Sequence, residues 1–483
     1  MIRPQINSET LKATSNVNNW MKMSFLLWLC SLLFFHSANA QKKKEISDVK
    51  YRRSSLHTVL IPSTDYHMSD IVERTYYKAP FPDKYNNHDV NLHVLDRSAY
   101  PMTDEEMTAR GEKRTWGKAF GAEMLGDLTN GTTDPTAKEV PFQIEKFIDS
   151  TKIANKLVAK WFDRNEDGTF GMELIQERGM YDASVIDKSL AEGSARGTAL
   201  LADAGEELLG KTFVVFNKMR LVENEKIAAA VRDAALSLTS EMKDGMAKDI
   251  AEAPAKIAYA ATKEGYTIFT NSYLHKLVWN DSVAAVFYND YWIGRGTKDE
   301  AKKRAFDESD LFKLEYIGST RGSSVVMPFG KSKDPDSSLV KLVTIRNVAK
   351  VYAKLQKEFD VFKPMTPILS EGPITAHIGM KEGLEGGEKF EVLEQMYDEK
   401  KQRTYYIRKG LITVDKKLVW DNRVQKLADV GIVEVQPIEV EDGKKKKKPS
   451  KKELSVQEAV ALGATSFKGK GSFYAGMLLR QVE

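Results

Sequence analysis

The chain holds a single cysteine, Cys30, and that residue lies inside an apolar run from Phe25 to Phe35 near the N-terminus. Everything downstream must fold without a disulfide or a thiolate-bound metal, on the strength of its packed core. The run belongs to "MKMSFLLWLCSLLFFHSANAQ", from Met21 to Gln41. Lys22 supplies a positive start, the apolar residues follow, and Ala38-Asn39-Ala40 offers the small side chains that a signal peptidase accepts. This order is the pattern of a secretory signal peptide, and it predicts cleavage after Ala40. Residues 1–20 are polar and lie upstream of the signal, which places the expected start of translation at Met21 or Met23. The run is too short to cross a hydrocarbon core of ~30 Å, so no transmembrane span is expected in the mature chain. The residues before Cys30 are Leu-Trp-Leu, where lipid attachment needs small side chains. An exported chain without disulfides suits the periplasm, outer membrane or cell surface of a Gram-negative bacterium. Its 72 basic and 68 acidic residues nearly cancel. That balance makes no global field to gather nucleic acid or anionic lipid, and no nucleic-acid partner is expected.

The patterns along the rest of the chain predict an α+β fold. Residues 41–140 read as an extended N-terminal segment. It holds two short strands, "SSLHTVLIP" (54–62) and "NLHVL" (91–95), and loops that wrap over something else. Residues 141–365 read as an α+β domain, helical over about 141–263 with antiparallel strands at 211–222 and 266–318. An apolar stripe runs through Ile144, Phe147, Ile148, Leu157, Val158, Trp161 and Phe162, at helical spacing. Helical pattern continues over 182–209, broken at "GSARG". "KTFVVFNKMRLV" is strand-like, and an Ala-rich helical stretch covers 225–263. "YTIFTNSYLHKLVW" and "VAAVFYNDYW" flank Asn280-Asp281-Ser282 and read as a hairpin, with "LFKLEYIG" as a third strand. A helix follows from Asp336–Ser338, carrying Leu339, Leu342, Val348, Val351, Leu355 and Phe359. Residues 366–440 show short strands with glycine turns, the mark of a small β-barrel. The Lys-rich stretch 441–453 reads as a solvated linker. Residues 454–483 form a C-terminal tail with a short helix and room for a strand.

Two stretches match functional motifs by letter. "GEELLGKT" fits the phosphate-binding pattern through Gly205, Gly210, Lys211 and Thr212. A phosphate loop needs a strand before the glycines and a helix after them. Here the order is helix then strand, and Glu206 and Glu207 would face the phosphates, so the match reads as a mimic with Gly210 as a helix-ending glycine. "DRNEDGTFGMEL" sets Asp163, Asn165, Asp167 and Gly168 at calcium-loop spacing, but Leu174 stands where the bidentate Glu belongs and Glu173 comes one residue early. The reading preferred is a turn. The alternative is a calcium site made by Asp163, Asn165, Asp167 and Glu173. No cofactor is otherwise expected. His57, His67, His88 and His93 all lie in the N-terminal segment and could converge on a metal, against ordinary surface use. His275 and His377 read as packing or rim. "GSARG" and "GSTRG" carry Ser in the second place, not at the centre of a nucleophile elbow. The aromatic clusters at 76–85 and 287–292 read as packed loop or core.

Resemblance adds a setting. "AKWFDRNEDGTFGMELIQERGMYDAS" with "DAGEELLGKTFVVFN" resembles a group of uncharacterised exported proteins of anaerobic Gram-negative bacteria, from which no activity carries over. "HIGMKEGLEGGEKFEVLE" with "GLITVDKKLVWDNR" is similar to small β-barrel modules of envelope assembly proteins, of flagellar accessory and curli-secretion types. This second likeness covers under a fifth of the chain and rests on the turn glycines Gly379, Gly383, Gly386 and Gly387. It implies partner binding or assembly. The expected function is that of an exported envelope protein acting on other envelope proteins by binding, with no catalytic residue identified. The alternatives are a secreted hydrolase of glycan or peptide, which needs a pocket with paired or perturbed acids, and a calcium-stabilised surface protein.

Overall fold

The computed structural model describes residues 54–62, 67–82, 84–110, 139–182, 208–328, 336–398, 403–423 and 463–482. The signal segment, the break at 193–197, Gly205 and the Lys-rich linker lie outside the described residues. The fold is α+β, with a closed six-stranded barrel in the C-terminal region.

The main sheet has five strands: β1 (Ser55–Ile61), β2 (Asn86–Asn87), β3 (Thr212–Glu223), β4 (Tyr266–Leu277) and β5 (Leu314–Val326), in the order β2-β1-β3-β4-β5. β1 runs parallel to β3, from Ser55 opposite Thr212 to Ile61 opposite Lys218, while β3, β4 and β5 are antiparallel. The sequence of β3 explains its central place. Phe213 and Val215 point to one face, where Leu56, Leu274, Val351 and Leu355 meet them. Val214 and Phe216 point to the other, against Val59, Ile144, Leu157 and Trp161. A strand buried on both faces needs an unbroken apolar run, and "TFVVF" is one.

Helix α1 (Ser69–Lys78) and a long helix from Asp336 to Glu358 cover the first face. The second is covered by α3 (Val140–Thr151), α4 (Ile153–Trp161) and residues 279–312, with α2 (Asp104–Ala109) outside α3. Between β3 and β4 the chain leaves the sheet as a helical hairpin, α6 (Asn224–Ser237) and α7 (Met246–Thr262), following α5 (Glu173–Asp182).

The strand expected within 54–62 forms as β1 and lies inside the sheet, while two other local expectations are corrected. "NLHVL" makes a single bridge, Leu60 to Val94, not a strand. The hairpin at 280–282 is a helix start. Asn280 accepts from the Val283 backbone N–H at 3.0 Å and caps α8 (Asp281–Val286), which runs into a π turn at Phe287–Tyr291. Val283 and Phe287, four apart, then drop into an aromatic cluster with Phe162, Phe170, Phe306 and Phe312, where α9 (Glu300–Glu308) closes it. The helix Asp336–Glu358, α10, occurs where its stripe places it.

The barrel comprises β6 (Met365–Glu371), β7 (Ile374–Ala376), β8 (Lys389–Asp398), β9 (Arg403–Val414), β10 (Thr465–Gly469) and β11 (Leu478–Val482), closed in the order β10-β7-β6-β11-β8-β9. Phe390, Val392, Ile412, Phe467 and Leu479 fill it. The residues read as a tail thus supply two of its strands. Gly383 and Gly386 take left-handed φ of 85° and 103° in the connection before β8, a conformation glycine adopts without strain. A side chain at Gly386 would meet the Lys416 backbone at 2.7 Å.

Candidate functional site

Two surfaces draw attention: a polar cleft at the β1 edge of the sheet and an apolar surface on the helical hairpin. The cleft encloses about 350 Å³ beyond the short β2 and is lined by His57, Asp89, His93, Tyr77 and Tyr352. His57 Nε2 lies 2.9 Å from the Leu92 carbonyl, so this nitrogen carries the proton and Nδ1 turns toward Asp89, 3.8 Å away. His93 Nε2 lies 3.4 Å from the other oxygen of Asp89. Burial pushes His57 down to about 4, so its ring is neutral at neutral pH. Lys160 donates to the Asp89 carbonyl and fixes that loop. The cleft can therefore offer an imidazole acceptor, a carboxylate and the exposed phenol of Tyr77.

The other two N-terminal histidines are elsewhere. His88 is buried against Trp161, donates from Nε2 to the Leu157 carbonyl at 2.9 Å and accepts from Arg178 at 2.9 Å. Burial, then Arg178, hold it well below the usual histidine range. It is a satisfied core histidine. His67 is exposed. Among the described residues no three His, Cys, Asp or Glu side chains form a group able to hold a metal ion. His275 packs between Phe216 and Tyr316, and His377 donates from Nδ1 to the Gly463 carbonyl on the barrel surface.

The phosphate-loop residues are structural. Lys211 ends a single 3₁₀ turn, Leu209–Lys211, and Thr212 opens β3. The Thr212 hydroxyl is fully buried. It accepts from Trp161 Nε1 at 2.9 Å and donates to the Leu208 carbonyl. Gly210 sits within the turn at an ordinary φ, so the reading of it as a left-handed helix end is not what the backbone does. The calcium-like residues form a turn stitched to a cation of the protein's own. Arg295 donates to the Asp163 carbonyl (2.8 Å) and carboxylate (3.0 Å), and lies 3.6 Å from Glu173. Asp167 accepts from the backbone and hydroxyl of Thr169, which holds its carboxyl below the usual range. Asn165 bonds Thr169. Asp163 and Glu173 thus face Arg295, while Asn165 and Asp167 bond Thr169.

The hairpin is built differently. Asn224 clasps its base: the amide donates to the carbonyls of Glu264 and Val326, and its oxygen accepts from Thr267. Tyr259 on α7 donates to Glu225 on α6 at 2.9 Å, under the Arg232 guanidinium. Between hairpin and sheet lies a groove of about 560 Å³, walled by Ile227, Val231, Ala258, Val325 and Met327 over Phe269. No residue of α7 is buried. Met246, Ile250 and Ile257 stand 79%, 68% and 69% exposed. Beside the groove, β5 is the sheet edge, yet Lys350 and Lys354 on α10 donate to the outward carbonyls of Ser323 and Arg321. Lysines so placed blunt strand addition, which leaves side-chain contact as the way to bind here.

The sequence reading found the helical stretch 225–263 but not that its apolar residues face outward. The available signal was the spacing of Met246, Ile250 and Ile257 among alanines and charges. It also missed Asp89, whose only local sign is its place between His88 and His93. A scan against protein-family models and a search of curated proteins both return no match. No helix among the described residues is long and apolar enough to cross a membrane.

Proposed function

We propose that this chain is an exported envelope protein that acts by holding a protein partner, whose apolar segment lies in the groove between the α6–α7 hairpin and the end of β5. The observation that carries this reading is the groove itself: wide, walled by small and branched apolar residues, and beside a strand edge already sealed by lysine. A monomer rarely leaves so much apolar surface in water without a use for it. The signal-like segment before Gln41 supports export, and the barrel supports an assembly role. A photo-crosslinking residue in place of Val231, with fractionation of the cells, tests it. The expected result is a crosslinked envelope protein, lost when Ile227→Asp is added. A secreted chain with no adduct and measurable turnover would overturn it.

The second reading, a secreted hydrolase of glycan or peptide, is favoured by the cleft, where His93 and Asp89 form a pair able to pass a proton. It brings only one carboxylate, Asp89, to the cleft among the described residues. Hydrolysis abolished by Asp89→Asn with no change in melting would raise this reading above the first.

A further inference from the structure

The outward stripe of α7 lies on the opposite side of the helix from the groove and needs its own explanation. We infer that it is the contact for a second copy of this chain, with the two α7 helices packed antiparallel. At 100° per residue, Met246, Ile250, Ala253 and Ile257 fall on one line. The side turned to α6 carries Glu252, Ala255 and Tyr259, and Thr239 of the hairpin turn reaches Glu252. The stripe is therefore free of the protein's own packing. Ala253 at its middle lets two helices approach closely.

Charge selects the occupant. The stripe has one charged border, formed by Asp249 and Lys256, and on its other border stand Ala247, Pro254 and Ala258. In an antiparallel pair the same borders meet. Setting Ile250 against the partner's Ile257 brings Asp249 beside the partner's Lys256, and the same contact repeats across the two-fold axis. A parallel pair would instead set the charged border of each helix against the partner's Ala247 and Pro254 border, where neither Asp249 nor Lys256 meets an opposite charge. Lys256 is 55% exposed and reaches Glu252 at 2.8 Å within its own helix. An incoming carboxylate extends that pair without breaking it. The hairpin from 224 to 263 carries as many acids as bases, so it has no net pull toward an anionic bilayer.

The test uses the full chain with Cys30→Ser, which removes its only thiol. Ile250→Cys and Ile257→Cys are made separately and then mixed under mild oxidation. The expected product is a disulfide between the two variants, formed far faster than either variant pairs with itself. Light scattering should give a dimer that Ile250→Asp abolishes. Asp249→Lys should weaken association about tenfold, and adding Lys256→Asp should restore it. Self-pairing of Ile250→Cys, a wild-type monomer at every concentration, or stripe-dependent binding to anionic vesicles would each overturn the inference. None of these outcomes touches the groove, whose reading is tested at Val231.

Discussion

Among single residues, the buried histidines set the acid response. Burial pushes His57 and His275 to about 4 from an ordinary 6.5. The unfolded chain takes up a proton near pH 6.5, whereas the folded chain resists until about pH 4. Between these values the unfolded state binds more protons, so stability falls as pH drops through the window and is unaffected above it. The loss approaches about 3 kcal/mol for each histidine at its lower end. His275 has no hydrogen-bond partner at Nδ1 and touches two aromatic rings. His275→Phe should therefore leave the melting temperature at pH 8 nearly unchanged and flatten its fall toward pH 4.5. Melts followed by circular dichroism across that range check both halves. Arg295 gives a second case. Because its guanidinium already pairs with Asp163 and lies 3.6 Å from Glu173, 1 mM calcium should not move the melting temperature relative to chelator, while Arg295→Ala should cost about 0.5–1 kcal/mol. A calcium-dependent rise in the wild type would reinstate those carboxylates as ligands.

Among elements, the join of α4 to β3 can be tested at one atom. Thr212→Val keeps the shape but leaves Trp161 Nε1 without its acceptor in a dry interior. Denaturant titration should show a loss of about 1–3 kcal/mol, with Lys211→Ala much milder. The elements that the sequence made legible are those whose pattern is decided by their own residues. β3 is dense in branched and aromatic side chains, and α10 keeps its stripe over its whole length. Asn280 was read wrongly because Asn-Asp-Ser serves a hairpin and a helix cap equally well. The spacing of Val283 and Phe287 decides for the helix, since it delivers both side chains to one aromatic cluster. The cleft was half legible. His88 and His93 looked alike in the sequence, but the chain turns between them, sending His88 into Trp161 and His93 outward to Asp89. His57 joins them through the backbone contacts of β1 with residues 86–95 and its own bond to the Leu92 carbonyl, contacts that no local pattern expresses.

The whole molecule divides where its cores divide. Among the described residues, the clusters on the two faces of the main sheet contain none beyond Phe362, and the barrel core begins at Ile368. Within the barrel, β10 and β11 are the staples. β11 joins β6 to β8, and β10 joins β7 to β9. Without them the remaining strands form two separate ribbons, β6–β7 and β8–β9, each too small to be stable in water. Deleting residues 463–483 should therefore unfold the entire barrel, although four of its strands stay in the chain. Hydrogen exchange would show lost protection over 389–414. Amides of β3 and β4 should keep theirs, because their own core is untouched. If protection in β3 and β4 fell with the barrel's, the contact between α10 and the turn at Met380–Glu382 would have to carry enough energy to fold both parts as one unit.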